Sequence, residues 1–191
     1  MEQLRAFQHL LATDGVTWGL IGPAEVDRLW PRHIDNCLAV TEDRECLPPS
    51  ATVIDVGSGA GLPGLVWAIA RPDLAVTLLE PLARRVRFLE KAVTELELNN
   101  VTVCRVRAQE YRGTAARVTA RAVARTSALL GWLEPLVAPA GRMLLMKGQQ
   151  AQAEIDEARP WLRQHGWRAQ LNEVGDPPRT RVVVVERAME G

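Results

Sequence analysis

The segment from Val53 to Gly64 reads Val-Ile-Asp-Val-Gly-Ser-Gly-Ala-Gly-Leu-Pro-Gly, and it leaves few folds open to a chain that contains it. Val53, Ile54 and Val56 alternate with Thr52 and Asp55 as the end of a buried parallel strand does. Gly57, Gly59 and Gly61 then permit a sharp turn and a close approach between backbone and ligand. A helix is expected from Leu62, its unpaired N–H groups facing a crevice at the carboxyl end of the sheet. Asp55, just ahead of the turn, is placed to accept a hydrogen bond from an ammonium group or from the loop amides.

The ligand class stays open at this point, because Gly59 to Gly64 also satisfies the G-x-G-x-x-G of dinucleotide sites. Ala75 to Glu80 reads as a second strand ending in an acid 19 positions after Gly61, where a carboxylate binds both hydroxyls of a ribose. Dinucleotide enzymes share that acid, so Glu80 does not separate the two. An acid two residues before the first glycine favours S-adenosylmethionine, and a tight turn with no ligand is the bland alternative.

A chain of 191 residues, 47% hydrophobic, has room for one domain with a sizeable core and too little for a cofactor domain plus a separate substrate domain. That counts against a typical dehydrogenase. The formal net charge is zero, so no global field draws the chain to nucleic acid or membrane, and any basic patch must be local. Cys37, Cys46 and Cys104 lack C-x-x-C spacing and read as reduced thiols, neither nucleophiles nor metal ligands. With no signal segment and no apolar run of spanning length, a cytoplasmic protein is expected.

Helical periodicity in residues 1–50 (Leu4, Phe7, Leu10 and Leu11 on one face; Val26, Leu29, Trp30, Ile34 and Leu38 on another) predicts an N-terminal cap, closed by Leu47-Pro-Pro-Ser50. Residues 51–191 alternate strand and helix. Strands are expected at 53–56, 75–80, 101–106, 117–121, 142–147, 167–174 and 180–187, with helices at 62–70, 82–98, 126–137 and 150–164. This is an α/β doubly wound pattern: a mostly parallel seven-stranded sheet whose last strand is antiparallel, since Pro177-Pro178 leaves no crossover helix. Class I methyltransferases end the same way.

Several residues past the glycine loop are candidates for the site. Ala108 and Gln109 follow the third strand, where backbone and a polar side chain could read an adenine edge. The fourth strand ends in Thr119-Ala-Arg-Ala122 and carries no Asn/Asp-Pro-Pro-aromatic clamp for an exocyclic amine. A purine N7 brings its own lone pair and needs only positioning. Arg121 and Lys147 end strands four and five as cations in the crevice, placed to orient a carboxylate, a phosphate or a purine O6. Lys147 is one of only two lysines, beside Lys91. Arg84, Arg87 and Lys91 recur at helical spacing, with Arg85, Arg121 and Arg125 near; these could meet phosphates or form a solvated face.

Leu29-Trp-Pro-Arg-His33, the Val53 to Gly64 loop, Arg84-Arg-Val-Arg-Phe-Leu89, Ala120-Arg-Ala122 and Met146-Lys-Gly148 together resemble the RsmG family, also called GidB. The resemblance runs from about Gly19 to the C-terminus, and its Gly-Leu-Pro-Gly extension is more specific than the generic glycine fingerprint. It implies a Rossmann-like class I methyltransferase that moves a methyl from S-adenosylmethionine to N7 of one guanine in the decoding-region hairpin of 16S rRNA. The expected product is S-adenosylhomocysteine, the expected substrate the small ribosomal subunit, and neither a metal nor a membrane is expected. A monomer is expected. On the family pattern Gly57, Leu62, Ala108, Gln109 and Arg121 fall at cofactor contacts, and Arg121, Lys147, Arg32 and His33 fall at substrate or catalytic positions. Asn36 stands where the family has an aspartate, Gln109 where a glutamate is usual, and Ala120 where a serine often precedes the arginine.

Overall fold

The structure, a computed structural model, describes residues 1–121, 123–177 and 179–188. Ala122 and Pro178, both used in reading the sequence, lie outside the described residues. The strands are β1 (Thr52–Val56), β2 (Ala75–Leu79), β3 (Val101–Cys104), β4 (Ala115–Arg121), β5 (Val137–Lys147), β6 (Trp167–Val174) and β7 (Thr180–Arg187). They form one sheet in the order β3-β2-β1-β4-β5-β7-β6. β1 to β5 run parallel, and β7 lies antiparallel between β5 and β6. The expected sheet is therefore present, with its switch of direction between β1 and β4, the place where such sheets open a crevice.

Six α-helices accompany it: α1 (Glu2–Leu10), α2 (Asp35–Glu42), α3 (Gly64–Ala70), α4 (Ala83–Glu95), α5 (Thr126–Leu133) and α6 (Ala151–Gln164). Side-chain alternation along the central strands divides the core in two. Leu144, Met146, Val182 and Val184 meet α3, α4 and the cap on one face, whereas Met143, Leu145, Val183 and Val185 meet α5 and α6 on the other.

Three boundaries differ from the sequence expectation, each for a local reason. α3 begins at Gly64, not Leu62, because Pro63 takes the N-cap position and the Gly64 N–H is turned to Asp55. α5 stops at Leu133 and tightens into a 3₁₀ turn over Glu134–Leu136, since Pro135 disfavours α geometry in the residue before it. β5 starts five residues early, at Val137, and reaches β4 through a register irregularity between Ala115 and Arg117.

The cap is wound without interruption from Pro23 to Glu42: a 3₁₀ stretch (Pro23–Arg28), a wide π turn (Leu29–Ile34), then α2. Pro31 lies inside the π turn, has no N–H to give and crowds the carbonyl one turn back, which a widened turn relieves. Phe7, Leu11, Leu29 and Ile34 are fully buried in the same cluster as Leu65, Trp67 and Leu78 of the sheet layer. Polar ties join cap and sheet: the Trp67 indole N–H donates to the Cys37 carbonyl at 2.9 Å, and the Asn36 amide donates to the Arg32 carbonyl at 2.7 Å while accepting from the Thr180 hydroxyl at 3.2 Å. An aspartate has no donor for the first of the Asn36 bonds when ionised, so the amide fits this position. Arg117, buried on β4, donates to the Cys46 and Glu45 carbonyls and pins the linker that follows the cap.

Trp67→Phe removes the indole donor, leaves the Cys37 carbonyl unpaired and opens a small void. The expected loss is ~1–4 kcal/mol in urea unfolding, with the denaturant slope unchanged.

Candidate active site

The loop after β1 is anchored at several points. Gly57 and Ser58 N–H groups donate to the Leu79 carbonyl at 2.8 and 3.2 Å, and Gly61 N–H donates to the Ser58 carbonyl at 2.7 Å. Gly57 has φ +68°, and a Cβ there would come within 2.8 Å of a Val123 methyl, so a side chain is excluded twice over. A Cβ on Gly64 would lie 2.7 Å from Asp55 Oδ2; without one, the Gly64 N–H reaches that oxygen at 3.1 Å.

Two carboxylates support this loop. Glu80, at the end of β2, is almost wholly buried; it accepts from Gly59 N–H at 3.1 Å on Oε2 and from Leu82 N–H at 3.0 Å on Oε1, with the Arg85 guanidinium 3.6 Å away. Each oxygen keeps further acceptor capacity toward the cavity it lines. Asp55 lies beneath the loop. Its Oδ1 is buried with no partner among the described residues, and burial pushes the carboxyl up to about 7 against the pull of the Gly64 hydrogen bond.

Two cavities meet at Gly57 and Arg85. The larger, about 510 Å³, is lined by Glu80, Ala108, Gln109 and the apolar side chains Leu82, Val123 and Trp132. Among the described residues these three and Met1 are the exposed large hydrophobics, so exposed apolar surface is concentrated on one cavity. The smaller, about 290 Å³, lies between the glycine loop (Gly57 to Ala60, and Leu62), Arg121 and the cap residues Leu20, Ile21 and His33.

Arg121 is held by the cap. Its guanidinium donates to His33 Nδ1 at 2.5 Å, to Cys37 Sγ at 3.3 Å and to the His33 carbonyl at 3.4 Å. Arginine has only donors, so His33 Nδ1 is the acceptor and the ring proton sits on Nε2, which donates to Glu25 at 3.0 Å. Burial and the adjacent guanidinium hold His33 below the ordinary imidazole value. The hydrogen bond from His33 in turn lowers Glu25, which also pairs with Arg32 at 3.2 Å.

Gly57, Gly59, Leu62, Glu80, Ala108, Gln109, Arg121 and His33 are thus gathered around one crevice. Asp55 and Gly61 shape the loop from beneath and are absent from the cavity linings. Lys147 does not join Arg121. The register sets Met146 opposite Arg121, so Lys147, one residue on, faces the other side of the sheet. There it donates to the Ala124 carbonyl at 2.9 Å and pairs with Glu154 at 2.8 Å, the same Glu154 that caps Thr126. Arg125 pairs with Glu157 of α6 at 2.8 Å. Arg84 and Arg87 are exposed on the first turns of α4. The sequence reading missed Glu25, Val123 and Trp132. Trp132 and Val123 carried no polar signal, and Glu25 becomes the partner of His33 only through the wide turn of the cap. Among the described residues no group of three His, Cys, Asp or Glu side chains could hold a metal ion, and no helix is long and apolar enough to cross a membrane.

The arrangement is that of the Rossmann-like methyltransferase fold. Ribosomal protein L11 methylase from Lactobacillus delbrueckii subsp. bulgaricus superposes with a TM-score of 0.62 at 14% identity, over 83% of this chain and 79% of that one. By sequence, the family described as rRNA small subunit methyltransferase G (GidB) matches residues 1–178, and the chain belongs to that family. It is 52% identical over 192 residues to ribosomal RNA small subunit methyltransferase G of Thermobifida fusca, covering 96% of this chain and 80% of the relative. It is 54% identical over 162 residues to the protein of that name from Nocardioides sp., covering 84% of this chain and 64% of the relative.

Because the folded Asp55 carboxyl titrates near 7 and an unfolded one near 3.8, its contribution to stability is full below about pH 4 and is lost as the pH rises toward 7. Asp55→Asn keeps an acceptor for Gly64 without that dependence. Its stability relative to wild type should improve by up to ~1.4 kcal/mol per pH unit across that window, read by urea unfolding at several pH values.

Proposed function

We propose that this chain transfers a methyl group from S-adenosylmethionine to N7 of a guanine in the 16S rRNA of the small ribosomal subunit. The observation that carries this is the make-up of the smaller cavity. It has a cation and an imidazole but no carboxylate in its lining, and the imidazole is already engaged at both nitrogens. Chemistry that must remove a proton from the acceptor has no free base there. Bound in the crevice, S-adenosylmethionine supplies an electrophilic sulfonium methyl, which a purine N7 lone pair can take with no proton to lose.

The residues present fit that cofactor. Glu80 keeps acceptor capacity for ribose hydroxyls, and Leu82, Val123 and Trp132 offer apolar surface to an adenine beside Ala108 and Gln109. The glycine loop leaves no side chain in the way. Arg121, fixed by His33 and Cys37, donates toward the guanine O6 or a phosphate oxygen. Lys147 acts at a distance in this proposal, as a positioning residue that holds Ala124 and so the loop carrying Val123. Arg32, His33, Arg84, Arg87 and Arg125 supply local positive charge for RNA on a chain with zero net charge. The cap, 1–50, and the sheet, 51–191, work as one unit around the crevice, as a monomer in the cytoplasm, and no metal takes part.

Mass mapping of 16S rRNA from a strain lacking the protein should show one N7-methylguanine missing; an unchanged map overturns the proposal. Gly59→Asp, which sets a carboxylate beside Glu80, should abolish S-adenosylhomocysteine binding in calorimetry while the protein stays folded. Tight NADH binding by the wild type with no S-adenosylhomocysteine binding would point to a dinucleotide site instead. Arg121→Lys keeps the charge but cannot span His33 and Cys37, and a turnover loss of roughly tenfold or more is expected.

A further inference from the structure

A third cavity, about 350 Å³, lies outside the crevice and is lined by Thr17, Trp18, Arg84 and Arg87. It neighbours the smaller crevice cavity through both of its walls. The segment 17–21 gives Thr17 and Trp18 to the outer cavity and Leu20 and Ile21 to the inner one. α4 likewise gives Arg84 and Arg87 to the outer cavity and Arg85 to the inner.

The cations on this part of α4 do not share one fate. Arg85 turns inward to Glu80, and Lys91, one turn beyond Arg87, is tied to Asp14 of the cap at 3.2 Å and to Glu95. Among the described residues Arg84 and Arg87 make no side-chain hydrogen bond or ion pair. The two unpaired guanidiniums are therefore the two that line the outer cavity. Trp18 supplies the third element. Its ring meets the buried Phe88 edge-to-face, centroids 6.2 Å apart and planes at 73°, which fixes the indole against α4 while part of it stays open to the cavity. The Thr17 hydroxyl is already spent on the Thr13 carbonyl, so the cavity offers two cations and an aromatic surface and no acidic side chain.

We propose that this cavity is a nucleotide subsite: it takes one unstacked nucleotide of the RNA substrate next to the target guanine, its base on Trp18 and its phosphate between Arg84 and Arg87. A planar base and an anion are the two chemistries that an indole and a pair of free guanidiniums recognise together. Shared walls place the neighbouring nucleotide one step from the cavity where the methyl acceptor would sit. Engaging that nucleotide offsets part of the cost of drawing the guanine out of folded RNA. The subsite rests on the rRNA methyltransferase proposal for its substrate, and binding and methyl transfer are therefore read separately.

The test uses small ribosomal subunits from a strain lacking the protein. Equilibrium binding of the full chain to these particles, with S-adenosylhomocysteine present, reads the subsite without turnover. Methyl transfer to the same particles reads the function. Trp18→Leu should weaken binding roughly five- to hundred-fold, Trp18→Phe should restore most of it, and both should keep wild-type affinity for S-adenosylhomocysteine. The exposed pair Arg84→Ala, Arg87→Ala, which has no packing to lose, should weaken binding and cut the log–log salt slope by roughly 1.4. Wild-type binding by Trp18→Leu and by the double arginine variant overturns the subsite, as does a wild-type chain that binds no particles. Particles bound with this pattern but not methylated would sink the transfer proposal and leave the subsite standing.

Discussion

The loop after β1 keeps its shape because two buried carboxylates hold it from different sides. Asp55 takes the Gly64 N–H at the far end, and Glu80 takes the Gly59 N–H in the middle. Neither bond would form with a side chain in the way, so the glycines and the acids are one device: the glycines bring backbone amides close, and the acids give those amides a partner. The crevice, its two cavities and the direction of α3 all follow from where this loop is pinned. A buried carboxylate with an unpartnered oxygen costs stability, and Asp55 carries that cost at the site. Polar groups left under-satisfied in a core tend to mark function.

The cap answers the loop from above. Glu25 orients His33, His33 accepts from Arg121, and Arg121 also reaches Cys37, so one chain of hydrogen bonds ties three turns of the cap to the end of β4. Arg121 is thereby a cation with a fixed direction at the mouth of the crevice. Its neighbour across the strands, Lys147, has a different task because a strand's side chains alternate. It closes a clasp with Glu154 and Ala124 on the other face, which sets the loop bearing Val123 above Gly57.

Much of the fold was legible because hydrophobic period and turn residues are local properties. The seven strands, their order of appearance and the antiparallel β7 follow from period-two runs, glycine turns and a connection too short for a crossover helix. The glycine loop and Glu80 were legible for the same reason, since spacing along the chain sets them on adjacent strand ends. What escaped was whatever depends on a partner distant in sequence. Trp132 and Val123 look like ordinary core residues until the fold leaves them exposed at the cavity edge. Asn36, which departs from its family's aspartate, is explained only by Thr180, 144 residues away.

By itself the sequence determined a doubly wound sheet with a glycine-loop crevice between β1 and β2, and residues enough to place the chain beside a family. Those are consequences of backbone geometry and period, which neighbouring residues impose on one another. Only the tertiary structure decided what each cation does. Arg85 and Lys91 are paired inward, Lys147 is turned to the far face, Arg121 is held by an imidazole, and Arg84 and Arg87 are left open beside Trp18. A charge is fixed by whatever stands within a few ångströms of it, and for these residues those neighbours come from elements that meet only when the chain has folded.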